Sequence, residues 1–465
     1  MKLKFCGAAG SVTGSCHLLE LDNGFKILMD CGLYQGNDDF LENFNREWMF
    51  DPADIDVMIL SHSHIDHAGR IPKLVKDGFK GDIICTSATR DLAAIMLIDS
   101  GSIQEQDARY LAKKRYYHGP TDPLYTVENA RESLQQFVGI AYNRWFNITE
   151  NVSLQFRDAG HILGSASVTL KISRKGLKDT YLGFSGDIGR PDRPILRDPQ
   201  PMPDLDYLIC ESTYGGKEHQ GTPQDELSLL KIINKTCVVN KGKLIIPAFS
   251  VGRTQEIIYM LDKLENAGKL PPIEVFVDSP LAINATEIFT LHPECYDMDL
   301  VEYMSKDPNP FGFKGLKFIR SAEKSKELNE YDKPCIIISA SGMMQAGRVR
   351  HHLNNNIENS RNTILVVGYC APNTLGAHIR SKPDTVRIFG VEKELKANVE
   401  IMDSFSAHAD QGEILGFLKN QNPAKLRNIF LVHGEEDRQL LLKEALQDAG
   451  FGEVTLPKLG ESFDI

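Results

Sequence analysis

The segment Ser61-His62-Ser63-His64-Ile65-Asp66-His67 directly follows the apolar run Val57-Met58-Ile59-Leu60. It offers four potential metal ligands within six positions, although the chain has only 13 histidines in 465 residues. On a segment that leaves a strand, alternate side chains project to one side, so two histidines and the aspartate can converge while His67 turns toward a neighbouring centre. One ion cannot easily take all four ligands. The spacing therefore predicts two adjacent metal ions.

The donor types in this run indicate which metal is expected. His62, His64 and His67 supply imidazole nitrogens and Asp66 supplies carboxylate oxygens, with no thiolate among them. Such a set suits zinc, with manganese or iron left open. The alternative is a solvated loop with incidental histidines, and the density of the cluster argues against it.

Two metal clusters need further ligands, and the chain offers them near the ends of other predicted strands. His161 lies in Gly160-His161-Ile162, Asp187 follows the run Tyr181–Phe184, and His408 lies in Ala407-His408-Ala409. The small neighbouring residues let backbone and ligand approach closely. Taken singly, each is more typical of a hydrogen-bonded structural residue, and their weight comes from belonging to a set.

Composition sets limits on the class of protein. The residues are 42% apolar and 25% charged, as in a soluble globular protein, and the length predicts two or three domains, or two with one interrupted by the other. A net charge of -11 argues against coating nucleic acid through bulk electrostatics, so a polyanion must bind locally. The nine cysteines include no Cys-x-x-Cys pair, which indicates reduced thiols in a cytosol. We expect no signal peptide, and no apolar run approaches the roughly 20 residues of a membrane span.

Secondary structure is predicted to alternate between strand and helix, which indicates an α/β architecture with helices layered on sheets. A second alternation over about 215–390 predicts a further parallel-sheet unit, and 107–145 is expected to be mainly helical. The principal predicted strands are 25–29, 57–60, 82–85, 168–172, 181–184, 207–210, 243–247, 273–277, 335–340, 363–368 and 428–433; the predicted helices include 71–77, 88–98, 254–265 and 436–449.

Together these motifs resemble the metallo-β-lactamase superfamily and, within it, the β-CASP group of nucleases, which includes bacterial and archaeal relatives of the cleavage and polyadenylation endonuclease. The resemblance spans essentially the whole chain. Leu28-Met29-Asp30-Cys31-Gly32 resembles the first motif of the superfamily and the 62–67 run resembles the second. His161 and Asp187 resemble the third and fourth motifs, and Glu211, His378 and His408 resemble the three additional β-CASP motifs.

The resemblance implies a four-layer αβ/βα sandwich with its metals at one edge of two packed sheets. The sandwich would be interrupted by an inserted β-CASP α/β domain that acts as a lid over the site. The expected division is 1–210 for the first part of the metallo-β-lactamase domain, 211–390 for the β-CASP domain and 391–465 for the last part of the metallo-β-lactamase domain.

The resemblance also assigns roles to individual residues. It implies a first zinc held by His62, His64 and His161, a second held by Asp66, His67 and His408, and Asp187 bridging both. Asp30 would accept a hydrogen bond from a ligand imidazole and fix its tautomer. His378 is the expected general acid, with Glu211 holding it or raising its pKa. His433, in Val432-His433-Gly434-Glu435, is expected to be structural or to contact a ligand.

The implied activity is that of a zinc-dependent ribonuclease acting in RNA processing or decay. Two ions would share a hydroxide that attacks the phosphodiester, with Asp66 and Asp187 among the catalytic residues. RNA is the expected partner, favoured as a single strand, and the expected location is the cytoplasm, with no membrane partner and a homodimer left open. Exonuclease relatives of the ribonuclease J type carry a sizeable domain after the last motif. Only 57 residues follow His408 here, so the resemblance favours an endonuclease over a 5′-exonuclease.

Two glycine-rich turns are expected to bind phosphate. One spans 248–254 and the other 339–348, each after a predicted strand, where backbone amides can cradle anions. Ser250, Arg253, Ser341 and Gly342 are the expected RNA contacts. Arg348 belongs to a local basic patch that is equally typical of a solvated helix face.

Three other functions stay open. In a thioester or lactone hydrolase of the same fold, the middle domain would be a mere insertion. Glu211, His378 and the phosphate-type turns argue against this function. A diiron redox protein would carry a glutamate where His64 stands. A non-catalytic RNA-binding scaffold would have lost ligands, whereas all seven expected positions are intact.

Overall fold

A computed structural model describes residues 1–36, 39–113, 121–219, 226–368, 370–371, 373–402 and 407–465, with the backbone alone for 39–42. The chain divides into two compact units. The first is Met1–Glu218 together with Ala407–Ile465, and the second is His219–Ser406. The expected boundaries are 210/211 and 390/391. The second unit continues past residue 390 because the strand Asn398–Ile401 pairs with the strand Thr363–Val366 of that unit.

The strands are numbered here in chain order. They are β1 Lys2–Phe5, β2 His17–Glu20, β3 Lys26–Met29, β4 Val57–Ile59, β5 Asp82–Thr86, β6 Phe137–Ile140, β7 Trp145–Thr149, β8 Val152–Asp158, β9 Ala166–Ile172, β10 Thr180–Phe184, β11 Tyr207–Glu211, β12 Lys243–Pro247, β13 Glu274–Val277, β14 Leu316–Phe318, β15 Cys335–Ser339, β16 Thr363–Val366, β17 Thr385–Ile388, β18 Val391–Glu394, β19 Asn398–Ile401, β20 Asn428–Val432, β21 Val454–Thr455 and β22 Ser462–Asp464.

The helices are α1 Asp39–Arg46, α2 Ile65–Ala68, α3 Ile71–Lys76, α4 Ser87–Ala112, α5 Val127–Ser133, α6 Glu226–Ile233, α7 Arg253–Asn266, α8 Pro280–Leu291, α9 Met298–Met304, α10 Ala322–Glu330, α11 Val349–Asn356, α12 Leu375–Arg380, α13 Gln411–Phe417 and α14 Glu436–Asp448. Short 3₁₀ turns cover Pro52–Asp54, Leu134–Gln136 and Pro293–Cys295, and Asn234–Val239 is a π-helix. Among the described residues, no helix combines the length and the apolar character that crossing a membrane would require.

The first unit contains two seven-stranded sheets. Their strand orders are β22-β1-β2-β3-β4-β5-β6 and β21-β20-β11-β10-β9-β8-β7. In the first sheet, β3 to β6 run parallel. In the second, β10, β11, β20 and β21 run parallel. Each sheet therefore gathers the carboxyl ends of several parallel strands at one edge, where polar side chains leaving the strands can meet.

The two sheets pack face to face over one apolar core. Phe5 and Met29 from the first sheet share this core with Phe184 and Phe430 from the second. The outer face of the first sheet packs on α3, α4 and α5, and the outer face of the second packs on α13 and α14. This order of helix, sheet, sheet and helix confirms the predicted four-layer αβ/βα sandwich.

The second unit is built on a six-stranded sheet with the order β14-β13-β15-β12-β16-β19, in which all pairs are parallel. Its central strands are buried along their whole length and carry near-continuous aliphatic runs, as parallel strands covered on both faces do. A two-stranded antiparallel hairpin, β17-β18, packs beside α11 and α12. An α/β domain is thus inserted in the sandwich, as the resemblance implies.

One stretch of the sequence is less helical than predicted. Residues 107–145 were expected to be mainly helical, and α4 does run on to Ala112. However, Phe137–Ile140 forms β6, the edge strand of the first sheet, parallel to β5. A short edge strand with intermediate burial carries no strong alternation of apolar and polar residues. The two-residue repeat that marks a strand was therefore not visible in the sequence.

Candidate metal centre

The 62–67 run leaves the centre of the first sheet. β4 is fully buried between β3 and β5, and after it the chain crosses the sheet edge as a short loop. His64 caps the one-turn helix α2, which carries Asp66 and His67. The change from strand to loop to helical turn is what separates the directions of the four side chains.

Asp30 fixes one of these imidazoles. It follows β3 with a positive φ of 57°, a conformation that aspartate tolerates better than most residues. Its Oδ2 lies 2.6 Å from His67 Nδ1, and its two oxygens accept hydrogen bonds from the Ser61 amide at 2.8 Å and hydroxyl at 2.9 Å. A carboxylate that accepts a hydrogen bond from Nδ1–H holds the proton on that nitrogen, which leaves Nε2 of His67 free to act as a ligand.

Three neighbouring strands of the second sheet deliver three further groups. Asp187 follows β10, Glu211 is the last residue of β11, and His433 follows β20. His433 has a φ of 51° and its amide donates to Ala8 O at 2.8 Å. Because β10, β11 and β20 are adjacent and parallel, these three side chains emerge at one edge.

Four ligand atoms converge in a first group. His64 Nδ1 lies 3.1 Å from His62 Nε2 and 3.2 Å from His161 Nε2. Asp187 Oδ2 lies 3.5 Å from each of the His62 and His161 nitrogens. Zinc–ligand distances of about 2.0–2.1 Å imply ligand–ligand separations of about 3.3 Å around a tetrahedral ion. The group therefore has the size of one zinc coordination sphere.

A second group forms next to it. His67 Nε2 lies 3.3 Å from His433 Nε2 and 3.2 Å from Asp187 Oδ1. His433 Nε2 lies 3.5 Å from Asp66 Oδ2. These separations again match the edges of a tetrahedral sphere, so Asp66, His67 and His433 fit a second ion.

Asp187 links the two groups. Its Oδ2 faces the first group and its Oδ1 faces the second. The side chain is buried, and among the described residues Oδ1 accepts no hydrogen bond of good geometry. Burial alone would raise the pKa of Asp187, but the surrounding His433, His67 and His408 hold it well below its usual range. A buried, charged carboxylate without its own donor is what a bridging metal ligand requires.

The imidazoles of the first group are held neutral, as metal ligation demands. Burial, together with neighbouring histidines, lowers the pKa of His62 and His161 well below the usual value. Burial lowers the pKa of His64 to about 4, despite the opposing charges of Asp66 and Asp187. The pKa of His67 moves the other way, because Asp187 and Asp30 outweigh burial.

His408 pairs with Glu211 rather than with the second group. His408 Nδ1 lies 3.1 and 3.3 Å from the two Glu211 oxygens and 3.9 Å from Asp187 Oδ2. Glu211 is itself pinned, because it accepts from the Ile188 amide at 2.5 Å and from the Thr213 hydroxyl at 2.6 Å. Burial opposes protonation, but the facing carboxylates raise the pKa of His408 to about 9.

The assignment expected from the sequence therefore differs from the geometry at two histidines. His408 was expected with Asp66 and His67, and His433 was expected to be structural. Instead, His433 Nε2 belongs to that group, and His408 faces Glu211. The signal that could have found His433 is its position directly after an apolar strand, the pattern that also marks Asp187. Glu211 was expected to hold His378, whereas it contacts His408.

His17 is a further buried histidine, at the start of β2. It lies between the rings of Phe5 and Phe184, and neither nitrogen has a hydrogen-bond partner among the described residues. Burial, with the nearby His67 and His433, lowers its pKa to about 3. A neutral, unpartnered imidazole is consistent with a packing role under the metal centre.

The other predicted site residues lie in the second unit. His378 is exposed on α12. Arg348, expected to contact RNA, donates from Nη1 to Asp278 Oδ1 at 2.7 Å and to Ile319 O, and from Nη2 to Arg320 O. These bonds tie the guanidinium to its own unit. Arg253 is buried and pairs with Glu256.

Ser250, Ser341 and Gly342 lie on two turns of the second unit. Ser250 Oγ lies 3.3 Å from Ser279 Oγ, and Ser341 Oγ lies 3.4 Å from Ala346 O. Gly342 packs against Phe249, since a β-carbon at position 342 would lie 3.0 Å from Cδ2 and Cε2 of that ring. The two predicted turns are thus neighbours.

Three family models match successive parts of the chain. Residues 9–140 match the metallo-beta-lactamase superfamily, residues 254–379 match the Beta-Casp domain, and residues 392–457 match the Zn-dependent metallo-hydrolase RNA specificity domain. The matched ranges include the 62–67 run, the central part of the second unit and His433. The order of the matches is that of a sandwich interrupted by an inserted domain.

Curated relatives are similar over nearly the full chain. Ribonuclease TTHA0252 of Thermus thermophilus is 33% identical over 465 residues, covering all of both chains. Transcription termination factor FttA of Methanosarcina mazei is 30% identical over 440 residues, which is 92% of this chain and 66% of the factor. FttA of Cenarchaeum symbiosum is 31% identical over 448 residues, again 66% of its length. The chain thus spans about two thirds of the archaeal factors it matches.

A solved structure shares the fold. It is a protein of unknown function from Enterococcus faecalis, with a TM-score of 0.55 over 99% of both chains at 11% sequence identity. At this identity the likeness concerns architecture alone.

Proposed function

The chain belongs to the β-CASP ribonuclease family of the metallo-β-lactamase superfamily, and from this premise we propose that it is a zinc-dependent ribonuclease that hydrolyses phosphodiester bonds of single-stranded RNA. The observation that carries the proposal is the pair of ligand groups that share Asp187. A relative similar over its whole length is named as a ribonuclease, which supports RNA as the substrate.

Two ions are proposed. His62, His64 and His161 would hold one, Asp66, His67 and His433 would hold the other, and Asp187 would bind both. When bound, two such ions lower the pKa of water toward neutrality and stabilise charge on phosphoryl oxygens. Asp30 would orient His67 toward its ion through the 2.6 Å contact at Nδ1.

His408 is proposed as the general acid in place of His378. Hydrolysis adds a water oxygen to phosphorus, breaks the bond to the leaving oxygen, and requires a proton for that oxygen. With its side chain 21% exposed, His408 is more accessible than the buried His62, His67 and His161, and its Nδ1 is paired with the pinned carboxylate of Glu211. Glu211 would keep the imidazole protonated and correctly oriented between turnovers.

Cleavage inside the strand is the proposed mode, and a circular RNA tests it because a circle offers no end to an exonuclease. Zinc-loaded protein would be incubated with a circular single-stranded RNA, the same RNA as a 5′-labelled linear strand, a matching DNA and a chromogenic thioester. We expect linearisation of the circle and no thioester hydrolysis.

Two variants complete this experiment. Asp66→Ala removes a ligand of the second ion and should abolish cleavage, whereas Asp448→Ala changes an exposed aspartate of α14 and should cleave as the unaltered chain does. Cleavage of the linear RNA without the circle would favour a 5′-exonuclease. Thioester hydrolysis without RNA cleavage, or full RNA cleavage by Asp66→Ala, would contradict the proposal.

A further inference from the structure

Phe249 is an aromatic side chain that emerges where a buried strand ends. All five residues of β12 are buried, and so are Ala248 and Val251, yet Phe249 between them is 42% exposed. A single exposed apolar residue needs no explanation by itself. What distinguishes Phe249 is how rigidly it is held and what surrounds it.

Hydrogen bonds within residues 249–255 hold the turn that carries Phe249. The Phe249 carbonyl accepts from the Thr254 hydroxyl at 2.8 Å and from the Thr254 amide at 3.3 Å. Gln255 closes the turn from inside, because its side chain accepts from the Gly252 amide at 2.8 Å and donates to the Ser250 carbonyl at 3.1 Å. These bonds fix the backbone that carries the ring before any ligand arrives, so binding costs little ordering of the turn itself.

Gly342 supports one side of the ring. A β-carbon at this position would lie 3.0 Å from Cδ2 and Cε2 of Phe249, closer than nearly all real contacts of a β-carbon. The turn at 339–348 therefore approaches the ring through the backbone of Gly342, which has no side chain. The rest of the ring remains accessible to solvent.

Hydrogen-bond donors lie on the two turns that meet at Phe249. Among the residues that the structure describes, the backbone N–H groups of Ser250, Val251, Gly342 and Met343 donate to no protein acceptor. The Ser250 hydroxyl adds a further polar group, 3.3 Å from that of Ser279. Neutral donors beside an aromatic face suit a ligand that has both a π-surface and anionic oxygens.

We propose that Phe249 is a stacking platform for a nucleobase of the RNA strand, with the adjacent phosphate or ribose bonded by the free amides and hydroxyls of the two turns. This inference deepens the proposed ribonuclease function and rests on it. Stacking is tolerant of base identity, because every base has a π-face, so the site would bind the strand without selecting its sequence. Loss of one stacked base weakens binding by roughly 5- to 150-fold.

The test compares binding of two probes in the cleavage-deficient Asp66→Ala background of the full chain. One probe is a fluorescent single-stranded RNA of mixed sequence, and the other is an abasic strand of equal length and charge. Phe249→Ala should raise the dissociation constant of the RNA by roughly 5- to 150-fold and leave that of the abasic strand unchanged. Phe249→Tyr, which keeps the ring, should bind within about twofold of the parent.

The matched control is Phe318→Ala, because Phe318 is 41% exposed in the same unit but lies on β14, away from both turns in the sequence. It should bind both probes as the parent does. Two outcomes would overturn the stacking inference without affecting the ribonuclease proposal. One is an RNA affinity of Phe249→Ala equal to that of the parent, and the other is parental RNA affinity in Phe249→Leu, which has no aromatic ring. A parent that binds neither probe would overturn both. Thermal unfolding of each variant checks that the fold is kept.

Discussion

The metal centre of the first unit and the paired turns of the second unit present their functional groups in opposite ways. At the metal centre, His62, His67 and Asp187 are buried and held within 3.5 Å of other charged or ligating atoms. On the turns, Phe249 is exposed and the free groups are backbone amides. The first arrangement is suited to holding ions in a fixed geometry, and the second to contacting a strand that must move on after cleavage.

This difference predicts how variants should behave. Changes at the metal centre should alter metal content and the chemical step together, because each side chain there fixes its neighbours. Changes on the turns should alter RNA affinity and leave metal content untouched. Four variants test this contrast, and their expected effects on cleavage decrease in the order Asp187→Asn, Asp30→Asn, Gly342→Ala and Asp158→Asn.

Asp187→Asn should have the largest effect. The amide keeps the shape of the side chain but supplies only one ligand oxygen and no charge, so one ion loses this ligand and the other keeps only a neutral oxygen in its place. Losing several kcal/mol of transition-state stabilisation corresponds to roughly a 10³-fold or greater drop in cleavage rate. Metal content measured by mass spectrometry should fall with the rate. A variant that retained both ions and cleaved RNA normally would contradict the bridging role.

Asp30→Asn should have an intermediate effect, because Asp30 touches a ligand and not an ion. The carboxylate accepts from Ser61 and faces His67 Nδ1 at 2.6 Å. Removing such a supporting group typically weakens metal affinity by about 10- to 100-fold. Competition with a zinc chelator would measure the affinity, and excess zinc should restore much of the activity. Activity that zinc cannot restore would point to a structural defect instead.

Gly342→Ala should have a smaller effect and only on RNA binding. The added methyl group would lie 3.0 Å from the Phe249 ring, so the ring must shift. We expect RNA affinity to fall several-fold, by less than the roughly 5-fold minimum expected for Phe249→Ala, with zinc content unchanged. A loss of zinc in this variant would break the proposed separation between the two regions.

Asp158→Asn should have the smallest effect on cleavage, because it acts on stability. Asp158 ends β8 and accepts from the Gly160 amide at 2.9 Å, and burial raises its pKa to about 7. The unfolded chain therefore loses this proton at lower pH than the folded chain, so stability falls as pH rises between about 4 and 7. Asp158→Asn should flatten this part of the pH profile of the unfolding temperature. An unchanged slope would show that Asp158 is not protonated in the folded chain.

Much of the fold was predictable because its signals are local. The buried parallel strands β4, β12 and β15 are short aliphatic runs that end at polar or small residues, and their predicted and observed bounds agree within about two residues. The 62–67 run was equally visible, since its ligands are consecutive in the sequence. The edge strand β6 was missed because a partly buried strand shows no clear alternation of apolar and polar residues.

The choice between His408 and His433 was not predictable in the same way. Both lie beside small residues near the carboxyl-terminal end of the chain, and only the pairing of β20 with β11 brings His433 to the second group. Arg348 illustrates the same limit. Its acceptor Asp278 lies 70 residues away, so a guanidinium that is engaged in an ion pair resembles a free basic residue in the sequence.

Zinc stoichiometry distinguishes the proposed roles of His433 and His408. It would be measured for His433→Ala and His408→Ala beside the unaltered chain, with cleavage of RNA and of an aryl phosphodiester measured on the same samples. We predict that His433→Ala binds one equivalent fewer than the unaltered chain and cleaves neither substrate. His408→Ala should keep full zinc, cleave RNA about 10²- to 10⁴-fold more slowly, and retain much of its activity on the aryl ester, whose leaving group needs no proton. Loss of zinc from His408→Ala with full zinc in His433→Ala would contradict the assignment of His433 as a metal ligand and His408 as the general acid.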